Sequence, residues 1–147
     1  MMNRILMRLG LVLAVAAGVT LAACGSPTSP SSFQTSTGTY TQTDLTTGTG
    51  ATAVTGNRVT VAYTGWFYDT SRPDGKGNSF DSSTGFSFTI GAGQVIAGWD
   101  QGVPGMRVGG QRRLILPPNL AYGSRGSGSV IPPNATLVFD ITLLSIQ

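Results

Sequence analysis

Apolar side chains recur at every second position in three separate stretches, a spacing that excludes most folds. Val59, Val61 and Tyr63 alternate with Thr60, Ala62 and Thr64; Phe86, Phe88 and Ile90 follow the same rule, as do Leu137, Phe139, Ile141 and Leu143. Successive side chains of a β-strand point to opposite faces, so a period of two marks a strand with one buried face. Arg113 to Leu116 makes a further short strand, which Pro117-Pro118 ends because proline cannot donate to the ladder. The helical spacers of about 10 to 15 residues that a parallel α/β fold needs are missing, so the sheet is expected to be antiparallel.

One segment departs from the alternation. Val95, Ile96, Trp99 and Val103 fall at near-helical spacing, with Gly91-Ala92-Gly93 before them and Pro104-Gly105 after. The spacing predicts one short helix. Gly98 and Gly102 lie inside it, each about 1 kcal/mol worse than Ala, so packing on the sheet must hold it. The expected fold class is therefore α+β, a twisted antiparallel sheet wrapped around one short helix. Two stretches rich in Gly, Ser and Pro, from Thr70 to Ser79 and from Pro117 to Asn134, are expected to be loops, where binding specificity usually sits.

The front of the chain belongs to a different class of signal. Arg4 and Arg8 precede an apolar run from Leu9 to Ala23, and Leu21-Ala22-Ala23-Cys24 closes it with small residues, the order of a secretory signal. A spanning helix needs roughly 20 apolar residues, more than this run supplies before Cys24-Gly25-Ser26-Pro27. Leu21-Ala22-Ala23-Cys24 resembles the lipobox of bacterial lipoproteins, which implies a lipid on Cys24 and export to the cell envelope. Gly25 rather than Asp follows the cysteine, and the resemblance to lipoprotein sorting signals then implies the outer membrane. Residues 1–23 are thus expected to be a signal peptide, 24–40 a Ser/Thr/Gly/Pro tether and 41–147 the folded domain.

Much chemistry is excluded by what is absent. The 147 residues contain one Cys and no His, so a Ser-His-Asp triad, a Cys-His pair, an intramolecular disulfide and a typical zinc site are all out of reach. No P-loop or dinucleotide fingerprint is present, and no cofactor is expected. The acids are Asp44, Asp69, Asp74, Asp81, Asp100 and Asp140, with no spacing that marks a catalytic pair. Removing Arg4 and Arg8 from the nine basic residues leaves seven against six acids, too even a balance for a nucleic-acid partner. Aromatic rings remain, and with them shape and desolvation.

Five stretches, in order, resemble the FKBP family of peptidyl-prolyl cis-trans isomerases: Val61-Ala62-Tyr63-Thr64-Gly65; Phe80-Asp81-Ser82-Ser83; Gln94-Val95-Ile96-Ala97-Gly98-Trp99-Asp100; Leu120-Ala121-Tyr122-Gly123; and Ile131-Pro132-Pro133-Asn134-Ala135-Thr136-Leu137-Val138-Phe139-Asp140. The similarity runs from about Asp44 to Gln147. It implies a prolyl pocket lined by Tyr63, Phe80, Asp81, Phe88, Val95, Ile96, Trp99, Tyr122, Val130, Ile131 and Phe139, with Phe86 near its entrance. It further implies that Trp99 is the floor under the proline ring, that Tyr122 and the backbone N–H of Ile96 donate to substrate carbonyls, and that Asp81 accepts a hydrogen bond at the edge.

Taken singly, Phe88, Trp99 and Phe139 read equally well as core, and Asp81 as a turn residue; the joint pattern carries the assignment. Two departures from the family stand out. Only Thr84-Gly85 separate Ser83 from Phe86, where relatives generally carry a longer, often Arg-containing segment, and Ser127 stands where some have an aromatic or His. The implied function is isomerisation of X-Pro bonds in exported proteins by a monomer open to macrolide inhibitors. The alternatives are a non-catalytic proline-binding or chaperone module that uses the same pocket, and a purely structural surface lipoprotein with no prolyl pocket.

Overall fold

In the computed structural model, which describes residues 38–147, the strand with the longest apolar alternation lies in the middle of the sheet. The signal segment, Cys24 and the tether up to residue 37 fall outside the described residues. In chain order the elements are β1 (Thr41–Thr46), β2 (Arg58–Tyr68), β3 (Lys76–Thr89), α1 (Ala97–Gly102), β4 (Gln111–Leu116), a 3-10 turn at Pro118–Leu120, and β5 (Leu137–Ile146). The sheet order is β1-β4-β5-β2-β3, and every neighbouring pair is antiparallel. This is the expected architecture of an antiparallel sheet with one short helix.

Hydrophobic periodicity sets the register. β5 pairs with β2 on one side (Tyr63 opposite Ile141, Gly65 opposite Phe139) and with β4 on the other (Leu114 opposite Phe139, Leu116 opposite Leu137). A slip of one residue would turn all these side chains to solvent, so the buried face fixes the pairing. Val59, Val61, Phe88, Ile90, Leu114, Leu116, Leu137, Ile141 and Leu143 form one core on the helix side. The opposite face of β5 is held by charge: Asp140 accepts two bonds from Arg113, at 2.7 and 2.9 Å, and one from Lys76 at 2.6 Å.

The two glycines of α1 have a packing reason. A Cβ on Gly98 would lie 2.4 Å from Leu116 Cδ2, and one on Gly102 would lie 2.6 Å from Leu114 Cδ1. Their hydrogens let the helix settle directly on the leucines of β4. Its end is capped by Arg112, whose Nη1 donates to the carbonyls of Gly102 and Pro104 while Nε and Nη2 grip Asp44 of β1.

Two elements differ from expectation. Lys76 to Ser79, expected in a loop, open β3: Trp66 pairs with Ser79 and Tyr68 with Lys76, with register shifts between them, so backbone bonds to β2 override poor strand propensity. The loop shrinks to a turn closed by the Asp69 N–H donating to the Gly75 carbonyl at 2.9 Å. β1 showed no apolar alternation because every residue in it is exposed; it is an edge strand held by β4.

Candidate active site

Trp99 stands in the first turn of α1, next to Gly98, and the closeness of that helix to the sheet brings its indole among rings from three strands. Tyr63 from β2 lies 4.9 Å away edge-on, Phe139 from β5 lies 5.4 Å away at 90°, and Phe88 from β3 lies 5.7 Å away. Phe86, two residues earlier on the same side of β3, covers it at 6.2 Å and is itself 38 % exposed. Phe80 meets Phe139 edge-on at 5.7 Å. Such perpendicular pairs place positive ring edges against negative faces, which holds aromatic walls in fixed orientation. Gly65 permits the arrangement, since a Cβ there would lie 2.7 Å from Phe80 and 2.8 Å from Phe139.

The one carboxylate among these rings is Asp81. Tyr63 donates its hydroxyl to Oδ2 at 2.6 Å and the Ser82 N–H donates to Oδ1 at 2.8 Å, so β2 and β3 together fix the carboxylate. These two donors orient Asp81 although the segment after it is short; no cation pairs with it among the described residues. Burial raises the pKa of Tyr63 well above that of a free phenol, and the bond to Asp81 raises it further. Burial likewise raises that of Tyr122, with the Asp81 charge adding to it. Both hydroxyls are therefore donors at any ordinary pH.

The remaining residues come from connecting segments. Val95 and Ile96, leading into α1, are half-buried against the core, and Ile131 is buried within it. Ile96 has extended backbone, φ −61 and ψ 148, and its N–H finds no acceptor among the described residues. Tyr122 follows the 3-10 turn and is 36 % exposed, close enough to Tyr63 and Asp81 for their charges to interact. Val130 is 57 % exposed and takes no part in the packed cluster. Ser127 and Ile131 exchange backbone bonds at 2.8 and 3.0 Å, so the loop expected from Pro117 to Asn134 is tied across by a short backbone bridge.

Phe67 was not singled out by the sequence, yet its ring lies 5.1 Å from Phe80. Its signal was present: Tyr63, Gly65 and Phe67 share one face of β2. Asp69 accepts from the Ser71 N–H and hydroxyl at 2.9 and 2.6 Å, which ties it into its own turn. Trp99 Nε1 is the single buried side-chain polar atom among the described residues with no hydrogen-bond partner. Folded proteins leave few such atoms, and this one sits where the rings converge.

Comparison with known proteins bears on the fold and the family. The model of the family described as FKBP-type peptidyl-prolyl cis-trans isomerase matches residues 49–144. An FK506-binding protein of Neisseria meningitidis is 47% identical over 103 residues, 70% of this chain and 92% of its own. Among solved structures, a peptidyl-prolyl cis-trans isomerase from Pseudomonas syringae superposes with a TM-score of 0.61 at 37% identity, covering 74% of this chain and 75% of that one. The crystal structure of AtFKBP13 gives a TM-score of 0.62 at 37% identity, covering 74% and 93%. The chain belongs to the FKBP-type peptidyl-prolyl cis-trans isomerases.

Proposed function

We propose that the ring cluster over Trp99 is the prolyl pocket, and that it isomerises X-Pro bonds by removing water and favouring the twisted amide. The observation that carries this reading is the convergence of Tyr63, Phe86, Phe88 and Phe139 on the Trp99 indole, with Asp81 fixed at the edge by Tyr63. An X-Pro bond faces a barrier of about 18 to 20 kcal/mol because rotation breaks amide conjugation, which water stabilises by hydrogen bonding to the charge-separated form. A dry aromatic recess withdraws that stabilisation from the planar amide and grips the ring, while the preceding carbonyl turns.

Each residue then has a part that needs no covalent step. Trp99 supports the proline ring; Tyr63, Phe80, Phe88, Val95, Ile131 and Phe139 wall it; Phe86 and Val130 stand at the mouth. The Ile96 N–H, which has no acceptor among the described residues, and the Tyr122 hydroxyl donate to substrate carbonyls. Asp81 accepts at the edge. Every 1.4 kcal/mol or so of preference for the twisted form gives a tenfold rate, so a few such contacts suffice. Macrolides that mimic a prolyl ring would enter the same recess.

The substrates are exported proteins, the enzyme acting as a monomer from a lipid anchor on Cys24 at the periplasmic face of the outer membrane. The basic, apolar and small-residue order of residues 1–24 supports this. A protease-coupled assay on a proline tetrapeptide tests the pocket: Trp99→Leu is expected to lower kcat/KM by at least about tenfold. A variant as active as the wild type would overturn the assignment of Trp99 as floor. For the anchor, Cys24→Ser is expected to move the protein from the membrane to the soluble fraction.

A further inference from the structure

We propose that Asp100 is a positioning residue for this reaction, holding the pocket wall formed by Val95 and Ile96 against the floor formed by Trp99; the inference rests on the pocket reading above. The chain leaves β3 at Thr89, turns through Gly91-Ala92-Gly93 and enters α1 at Ala97. Gly91 and Gly93 have φ of +80° and +69°, two left-handed positions that have no side chain of their own to anchor the turn. Asp100, the residue after Trp99, reaches back across that turn. Its Oδ1 accepts the Gly91 N–H at 2.9 Å and its Oδ2 accepts the Gly93 N–H at 3.2 Å.

The carboxylate thus spends both oxygens on two converging amides and has no ion-pair partner among the described residues. Gln94 braces the other side, its Oε1 accepting the Thr89 N–H at 2.9 Å. Ile90 before the turn is already fixed in the core, and the helix after it is fixed on β4. The span between them, which carries Val95 and the Ile96 N–H, is drawn onto the helix side by Asp100. Because Asp100 and Trp99 are neighbours on one short helix, a single backbone turn sets floor and wall together.

Without that brace, substrate must order residues 91–96 as it binds, a cost that falls equally on ground and transition states and so raises KM. Asp100→Ala loses both bonds; Asp100→Asn keeps the volume and one acceptor while setting an amide N–H against the other donor. Expected results are a KM raised about tenfold for Ala and several-fold for Asn, with kcat within about twofold of wild type. A purely structural role would lower kcat with the folded fraction and leave KM alone. Asp44→Ala, which breaks the ion pair with Arg112, serves as control, with a lower unfolding temperature and an unchanged KM.

An active wild type whose two Asp100 variants keep KM within about twofold would overturn the inference and leave the pocket reading standing; an inactive wild type would remove both. Should Asp100→Ala fail to fold, Asp100→Asn and amide exchange on the wild type decide. Slow exchange at Gly91 and Gly93 is expected before any prolyl peptide is added, and fast exchange there would refute the brace.

Discussion

Tyr63 illustrates how much a single hydroxyl is asked to do in this site. Its ring packs on Trp99 at 4.9 Å, and its oxygen holds Asp81 at 2.6 Å, so one side chain belongs at once to the wall and to the polar edge. Tyr63→Phe would keep the wall and leave Asp81 with the Ser82 N–H alone. The expected result is an unfolding temperature within a few degrees of wild type and a kcat/KM reduced by at least about tenfold, since one hydrogen bond to a charged group is usually worth about 1.5 to 3 kcal/mol. The phenol pKa values of Tyr63 and Tyr122 are raised, first by burial, and the chain has no His. Neither tyrosine therefore loses its proton near neutrality and no imidazole is present, so kcat/KM should be flat from about pH 6 to about 9 in a pH-rate profile. A bell centred in that range would point to an acid-base step that this pocket lacks.

At the scale of elements, what could be read from the residues was whatever one buried face wrote into them. β2, β5 and the end of β3 are legible because Val59, Val61, Phe88, Ile141 and their like alternate between core and solvent. β1 is illegible for the converse reason: its six residues are all exposed, and backbone bonds to β4 define it, with the Asp44 to Arg112 ion pair beside them. The rings of the site could each be called core on spacing alone, and Phe67 and Asp100 were passed over because their roles depend on neighbours distant in sequence. The glycines of α1 read as poor helix formers, whereas the structure makes Gly98 a contact. Gly98→Ala tests this. Intrinsic propensity favours Ala by about 1 kcal/mol, but the new methyl would lie 2.4 to 2.9 Å from three carbons of Leu116. Overpacking of that kind costs about 1 to 3 kcal/mol, so a net loss of about 1 kcal/mol is expected in denaturant unfolding. Gly85→Ala, where nothing lies within 4 Å, should be neutral or slightly stabilising.

For the whole molecule, the sheet needs a fastener on the face away from the helix, and the cluster around Asp140 supplies it. Lys76 at the start of β3, Arg113 on β4 and Asp140 on β5 come from three strands, and their side chains are only 10 to 22% exposed. Lys76 also lies 4.1 Å over the Trp66 ring of β2, which brings in a fourth strand. Burial alone would raise the pKa of Asp140, but the hydrogen bonds and charges of Arg113 and Lys76 outweigh it and hold the carboxyl below its ordinary value. A depressed folded-state pKa means that the unfolded chain takes up the proton first. The stabilisation is then complete above the unfolded value of about 3.9 and is lost as pH falls through the lower folded value. Asp44, held low by the Arg112 hydrogen bond, has the same sign but is half exposed and contributes less. Unfolding free energy should therefore hold steady from about pH 7 to about 5 and fall steeply below about 4. Asp140→Asn leaves two part-buried cations facing each other, so it should cost about 3 kcal/mol at neutral pH. Its acid branch should be shallower than that of wild type, because the group that takes up the proton is gone. Parallel acid limbs in urea titrations of the two proteins would show that the sheet is not fastened at Asp140.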